Sequence, residues 1–170
     1  DPQKMDPKAS RETLDHSIMY IFAVALQDGK WHHIQSYAPE RAQRPDTVAL
    51  WHKISTVEDP QWTEWYHDQN PDKKRFGGRV EIFFKNGEKL VDELGLANAH
   101  PAGAKPFVRK DYVRKFDELT EGIISKDERD RFIALAESLP DLTAAQVQEL
   151  NVQIPIEKLV NNKRDTKGIF

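Results

Sequence analysis

The sequence contains no cysteine. That excludes disulfides, thiolate zinc ligands, cysteine-held iron–sulfur clusters and a cysteine nucleophile among these residues. Long apolar runs are missing as well. The longest, Ile18 to Leu26, is about half of a membrane span of ~20 residues and reads as a buried helix. There is no excess of basic charge: 25 Lys and Arg stand against 28 Asp and Glu, for a net charge of −3. A general nucleic-acid binder usually carries a basic stripe, so that class is disfavoured. The first residues, Asp1-Pro2-Gln3-Lys4-Met5-Asp6-Pro7, offer neither an initiator Met nor a signal-like pair of basic and apolar regions. They read as the inside of a longer protein, opened in a polar loop. No glycine-rich phosphate loop and no serine nucleophile elbow is present.

What is there describes an ordinary protein with a modest core: 170 residues, 38% hydrophobic and 31% charged, enough for one domain or pieces of two. After a polar lead-in to Ala9, the pattern predicts a helix from about Thr13 to Gln27. Gly29 is placed to close it in a left-handed conformation. The apolar run within this helix predicts cover on most sides. Trp31 to Tyr37 suits a short strand, and Pro45 can open a short helix reaching Ile54. Asp59 to Lys74, with Trp62, Trp65, Tyr66 and then Phe76, predicts an ordered excursion, because aromatic residues are rare in disordered tethers.

The clearest local signal is a β-hairpin. Val80, Ile82 and Phe84 alternate with polar neighbours, Asn86-Gly87 supplies a two-residue turn, and Lys89 to Leu94 returns the chain. The three apolar residues are expected to be buried. Beyond His100-Pro101 the period changes. Tyr112, Phe116, Leu119 and Ile123 repeat at helical spacing. Ser125 with Glu128, and Thr143 with Gln146, carry the capping-box pattern ahead of two further helices. Residues 161–170 form a polar tail. Strands and mixed elements therefore precede helices, an α+β pattern with a boundary near Ala102 to Phe107.

Residues able to carry chemistry are few. Asp15-His16-Ser17 opens the apolar helix; Asp or Ser there caps a helix, while His16 is a charge-assisted donor suited to a carboxylate. Tyr20 lies four residues on, on the same face of one continuous helix. It is either a core tyrosine bonded to a carbonyl or a reactive phenol. His32 and His33 are adjacent, so on a strand they point to opposite faces and make a poor metal pair. His52 and His67 have no partner at ligand spacing, and no metal site is expected. Arg41 and Arg44, with Lys30, suit an acidic small molecule or a solvated loop. Glu58-Asp59 before Pro60 reads as a turn. The residues alone leave the function open.

The stretch from Leu14 to Gly29, with its His-x-x-x-Tyr pattern at His16 and Tyr20, resembles the MmgE/PrpD family. Tyr37-Ala38-Pro39-Glu40-Arg41, Arg44-Pro45-Asp46-Thr47, Glu58-Asp59-Pro60 with Thr63, and Tyr66-His67-Asp68 are similar to its dehydratase branch. Ala99-His100-Pro101 stands where members often have Gly-His-Pro, ahead of a Lys-Phe pair matched by Lys115-Phe116. The Ala at 99 is a departure. The resemblance covers Leu14 to Leu119 best.

It implies a large all-helical domain and a smaller α/β lid. On that pattern residues 1–105 are most of the lid, and residues 106–170 are the helical return to the large domain. The activity implied is cofactor-free elimination of water from 2-methylcitrate to 2-methyl-cis-aconitate, a step of propionate catabolism by the methylcitrate cycle. Tyr20 would be the catalytic acid and His16 a substrate-binding residue. The remaining charge and base would come from a missing N-terminal helical part. The same resemblance implies a cytoplasmic homodimer that takes a small tricarboxylate and binds neither nucleic acid nor membrane, and these residues alone are expected to be inactive. Two other readings stand beside it: cis-aconitate decarboxylation within the superfamily, and a non-catalytic dimerisation or folding module.

Overall fold

The computed structural model describes residues 1–160. Within them helices accompany one two-stranded antiparallel sheet, a mixed α+β composition. The polar tail read at residues 161–170 lies outside the described part. The chain divides into two units, one built on Asp1–Val57 and the other on Glu58–Ile156.

In the first unit a 3-10 turn at Pro2–Met5 leads to helix α1, Arg11–Asp15, and then to α2, Ile18–Asp28. One unbroken helix from Thr13 to Gln27 was expected, and the chain instead breaks at His16 and Ser17. The cause is Ser17, whose buried hydroxyl accepts the Tyr20 N–H at 3.3 Å as the cap of α2 and donates to the Lys4 carbonyl at 2.7 Å. A new cap so tied to the lead-in ends one helix and starts the next. Gly29 closes α2 in the left-handed region at φ 64°, as its position predicts.

The strand expected over Trp31 to Tyr37 is absent; Gln35–Tyr37 is a 3-10 turn. Here side chains compete with any sheet for the backbone donors. His32 Nδ1 accepts the N–H groups of Ile34 and Gln35, each at 3.1 Å, and Ser36 Oγ accepts the His32 N–H at 2.9 Å. Two helices follow, α3 at Pro39–Ala42 and α4 at Pro45–Trp51, the latter opened by proline and ending three residues short of the expected Ile54. Leu14, Tyr20, Ala23, Val24, Ala42 and Trp51 form the buried core of this unit. Burying a side chain the size of Trp51 contributes about 3 kcal/mol or more.

The second unit begins with α5, Pro60–His67, capped by the Asp59 carboxylate, which accepts the Gln61 N–H at 3.0 Å. The turn expected at Glu58-Asp59-Pro60 is thus a helix start. The excursion is ordered: Trp62 packs edge-on to Trp65, Tyr66 lies 5.4 Å from Phe76, and the Phe76 N–H reaches the Gly95 carbonyl. Strands β1, Gly78–Phe83, and β2, Lys89–Leu94, pair with Val80 opposite Asp92 and Ile82 opposite Leu90.

The hairpin is therefore where it was expected, but its turn is longer. Phe84 N–H donates to the Glu88 carbonyl and Gly87 N–H to the Phe84 carbonyl, leaving Lys85, Asn86 and Gly87 as the connection. Only Gly87 has positive φ, at 88°. Asn86 stays in the right-handed half because its side chain accepts the Glu88 N–H at 3.1 Å. A glycine bulge results in place of a two-residue turn. Val80 and Ile82 are half-buried, but Phe84 is 48% exposed, against the burial expected for it. It sits past the last paired position, where the sheet offers no neighbour.

Helices α6, Arg109–Thr120, and α7, Lys126–Glu137, stack Phe116 on Phe132 at 5.3 Å. Ser125 caps α7 and Thr143 caps α8, Ala144–Gln148. The Thr143–Gln146 box is complete, whereas the Glu128 carboxylate turns away to Arg131 and the Gln153 N–H. Last in the chain comes α9, Ile156–Val160, which from Glu157 on groups with the first unit. No residue from Glu58 to Ile156 is fully buried, so this unit is held by half-buried contacts rather than by a closed core.

Candidate active site

The first unit holds the Asp15-His16-Ser17 and Tyr20 stretch, so the candidate site is built there. Tyr20 is the third residue of α2 and points inward because it lies on the face that also carries Ala23 and Val24. It is fully buried. Trp51 from α4 packs against its ring at 5.0 Å, with Trp31 at 6.2 Å and Tyr37 at 6.4 Å. Its hydroxyl donates to the Ser36 carbonyl at 2.5 Å. Burial pushes the phenol above its ordinary value; the Arg41 charge opposes this and the Asp28 charge adds to it. A phenol in that setting keeps its proton at neutral pH, so Tyr20 is suited to donate rather than to act as a base.

His16 is exposed and closes α1. Its Nδ1 lies 2.7 Å from the Glu12 carbonyl, which can only accept, so Nδ1 carries a proton there. The Nε2 edge is the one left to meet a ligand. The break at Ser17 removes the continuous helix that would have stacked His16 over Tyr20. No hydrogen bond joins the two among the described residues.

Neighbouring groups are committed to structure. Asp15 accepts the Tyr37 hydroxyl, and burial together with that carboxylate pushes the Tyr37 phenol up to about 12. Arg41 reaches Asp28, Gln27 and Thr47, and Arg44 pairs with Asp46. Neither arginine stands open as an anion receptor, and Arg41 is not a solvated loop residue either, with a side chain only 11% exposed. His32 and His33 stack ring on ring at 4.6 Å. No group of three or more His, Asp or Glu placed to hold a metal occurs among the described residues. No helix among them is long and apolar enough to cross a membrane.

Sequence reasoning missed Ser36 as the partner of Tyr20, because a main-chain carbonyl leaves no mark in the sequence. It also missed the Gln27–Asp28–Arg41–Thr47 cluster. Its only sign was a polar pair at the end of an apolar helix, which solvent would explain equally well.

Comparison with known proteins bears on the same residues. The model of the MmgE/PrpD C-terminal domain matches residues 2–141. A mitochondrial 2-methylcitrate dehydratase of Yarrowia lipolytica is 36% identical over 91 residues, covering 54% of this chain and 17% of the relative. A probable 2-methylcitrate dehydratase of Saccharomyces cerevisiae is 33% identical over 102 residues, 60% of this chain and 19% of the relative. The 2-methylcitrate dehydratase of Salmonella typhimurium is 35% identical over 112 residues, 63% of this chain and 23% of the relative. The matched part thus spans about a fifth of the length of these relatives. With the family model matched over most of its length, the chain belongs to the MmgE/PrpD family, as a C-terminal domain of it.

Proposed function

We propose that the chain is part of a hydro-lyase that eliminates water from 2-methylcitrate to give 2-methyl-cis-aconitate, in the methylcitrate cycle of propionate catabolism. The observation that carries this reading is the agreement of the relatives. A yeast mitochondrial dehydratase and a bacterial one, both named for this substrate, are similar to this chain, which itself matches the family's C-terminal domain. Residues 1–105 form most of a lid over a larger helical domain, and residues 106–170 return to that domain.

The chemistry requires a base for the proton α to a carboxylate, cations for the three carboxylates and an acid for the departing hydroxyl. The C–H electron pair becomes the new double bond, the C–O bond breaks, and the hydroxyl takes a proton to leave as water. Tyr20 supplies that proton. Burial raises its pKa, so the phenol is protonated and has a proton to give, as a weaker acid than a free tyrosine but still a far stronger one than water. To do so the hydroxyl exchanges the Ser36 carbonyl for the leaving oxygen. His16, with Nδ1 occupied, offers Nε2 to a substrate carboxylate. The base and the other cations belong to the rest of the longer protein, so these 170 residues alone are inactive. A cytoplasmic location and a homodimeric whole enzyme belong to the same proposal.

Incubating the longer protein with 2-methylcitrate and with cis-aconitate in separate reactions tests the reading. Formation of 2-methyl-cis-aconitate is expected. Release of carbon dioxide from cis-aconitate, without dehydration, would replace it with the decarboxylase reading. Turnover of 2-methylcitrate by the purified 170-residue chain, above a heat-killed control, contradicts the placement of the base elsewhere.

A further inference from the structure

His32 reads in the sequence as half of a failed metal pair, but its contacts give it a different part. Its Nδ1 accepts two consecutive main-chain donors, Ile34 N–H and Gln35 N–H, both at 3.1 Å. An atom that accepts two N–H groups carries no proton itself, so the ring is held with Nδ1 bare. The same turn is closed from its other end. Ser36 Oγ accepts the His32 N–H at 2.9 Å, and the Ser36 N–H donates to the His32 carbonyl at 3.2 Å. Residues 32 to 36 therefore form a self-braced turn in which the His32 ring accepts the Ile34 and Gln35 N–H groups and the Ser36 hydroxyl accepts the His32 N–H. The product of that turn is the direction of one carbonyl, that of Ser36, and this carbonyl is the acceptor of the Tyr20 hydroxyl.

We infer that His32 is a positioning residue for the Tyr20 hydroxyl, acting through the Ser36 carbonyl that its turn holds in place. Without the Nδ1 acceptor, the Ile34 and Gln35 N–H groups lose their partner, and the peptide that carries the Ser36 oxygen is left to the Tyr37 N–H bond to the Ile34 carbonyl at 3.0 Å and to the Ser36 bonds to the His32 main chain. The inference concerns geometry at Tyr20; its bearing on turnover rests on the dehydratase reading above. The chemistry also says which replacement should work. Asn places Oδ1 the same number of bonds from Cα as His places Nδ1, and an Asn side chain accepting the N–H two residues on is a common turn device. Gln puts its oxygen one carbon too far, and Ala has none.

The test uses His32→Ala, His32→Gln and His32→Asn in the 170-residue chain labelled with carbon-13 at the tyrosine Cζ position. The Tyr20 resonance is assigned by its loss in Tyr20→Phe. The hydroxyl-bearing carbon reports the hydrogen bond directly, and a purely structural histidine away from Tyr20 leaves it unmoved. The Tyr20 signal should move in the Ala and Gln variants and return in Asn. An unmoved signal in Ala, or an Asn variant no closer to the parent than Gln, overturns the inference. Should the Ala variant not fold, the Gln and Asn comparison decides alone.

In the longer enzyme the same series should lower kcat on the order of tenfold to a hundredfold in Ala and Gln, with recovery in Asn and little change in KM. If the resonances behave as stated while kcat holds, His32 still positions Tyr20, and it is the assignment of Tyr20 to the reaction that falls.

Discussion

Arg41 and Asp28 face one another through two parallel bonds, Nε to Oδ2 at 3.0 Å and Nη2 to Oδ1 at 2.9 Å. The pair ties the last residue of α2 to α3. A further bond from Nη2 to Gln27 Oε1 at 3.0 Å, and one from Nη1 to the Thr47 hydroxyl, extend the tie to α4. The guanidinium beside it holds the Asp28 carboxyl below its ordinary value. Arg41→Lys keeps the charge but cannot fill two parallel bonds, so it should cost about 2 kcal/mol in chemical denaturation. A denaturation midpoint matching the parent would mean that the clamp contributes nothing.

Glu128 sets a pH dependence. Its hydrogen-bonded pairing with Arg131 holds the carboxyl down at about 2, against 4.5 for a free glutamate, with the Gln153 N–H adding to the effect. A depressed carboxyl stabilises the fold above the unfolded value and loses that stabilisation as pH falls through the folded one. Between pH 4.5 and about 2, Glu128→Gln should therefore lose less stability on acidification than the parent. Parallel stability-against-pH curves for the two proteins would remove Glu128 from this role.

Helix caps in the second unit are testable singly. Ser125 Oγ accepts the Glu128 N–H at 3.2 Å and Thr143 Oγ1 the Gln146 N–H at 3.3 Å. Replacing either by Ala should cost about 1 kcal/mol. At Thr143 the change also removes the hydroxyl bond to Gln146 Oε1 at 2.8 Å, while the main-chain N–H keeps its own bond to that oxygen. Equal stability of parent and both variants contradicts the assignment.

Core placement predicts where amides exchange slowly. Tyr20, Ala23 and Val24 are fully buried, while the second unit has no residue so enclosed. Hydrogen exchange should be slowest in α2 and α4, and several-fold faster or more in β1 and β2. The reverse order would show that the hairpin, not α2, is the stable centre.

Much of this was legible from local chemistry. Gly29 ends its helix, Pro45 opens one, Ser125 and Thr143 cap theirs, and the alternation at Val80 and Ile82 locates a strand. Each of these signals acts within a few residues. What was lost depends on contacts at longer range. The break at Ser17 follows from its bond to Lys4, thirteen residues away, and the 3-10 turn at Gln35–Tyr37 from side chains outbidding a strand for the main-chain donors. Phe84 lost its expected cover because the turn is one residue longer than Asn-Gly suggests. As for the site, the His16 and Tyr20 pattern was readable, but the acceptor of the Tyr20 hydroxyl was not, being a carbonyl sixteen residues along the chain.

The most direct measurement of the account is Tyr20→Phe in the longer enzyme, with turnover and melting temperature read on the same preparation. The ring remains, so the core around Trp51 and Val24 is kept; the lost bond to Ser36 should cost about 1 kcal/mol. If Tyr20 donates the proton to the leaving hydroxyl, kcat on 2-methylcitrate should fall by about a hundredfold or more while the melting temperature drops only a few degrees. A variant that keeps more than about half of its turnover contradicts the account and makes Tyr20 a core residue whose hydroxyl serves only the Ser36 carbonyl.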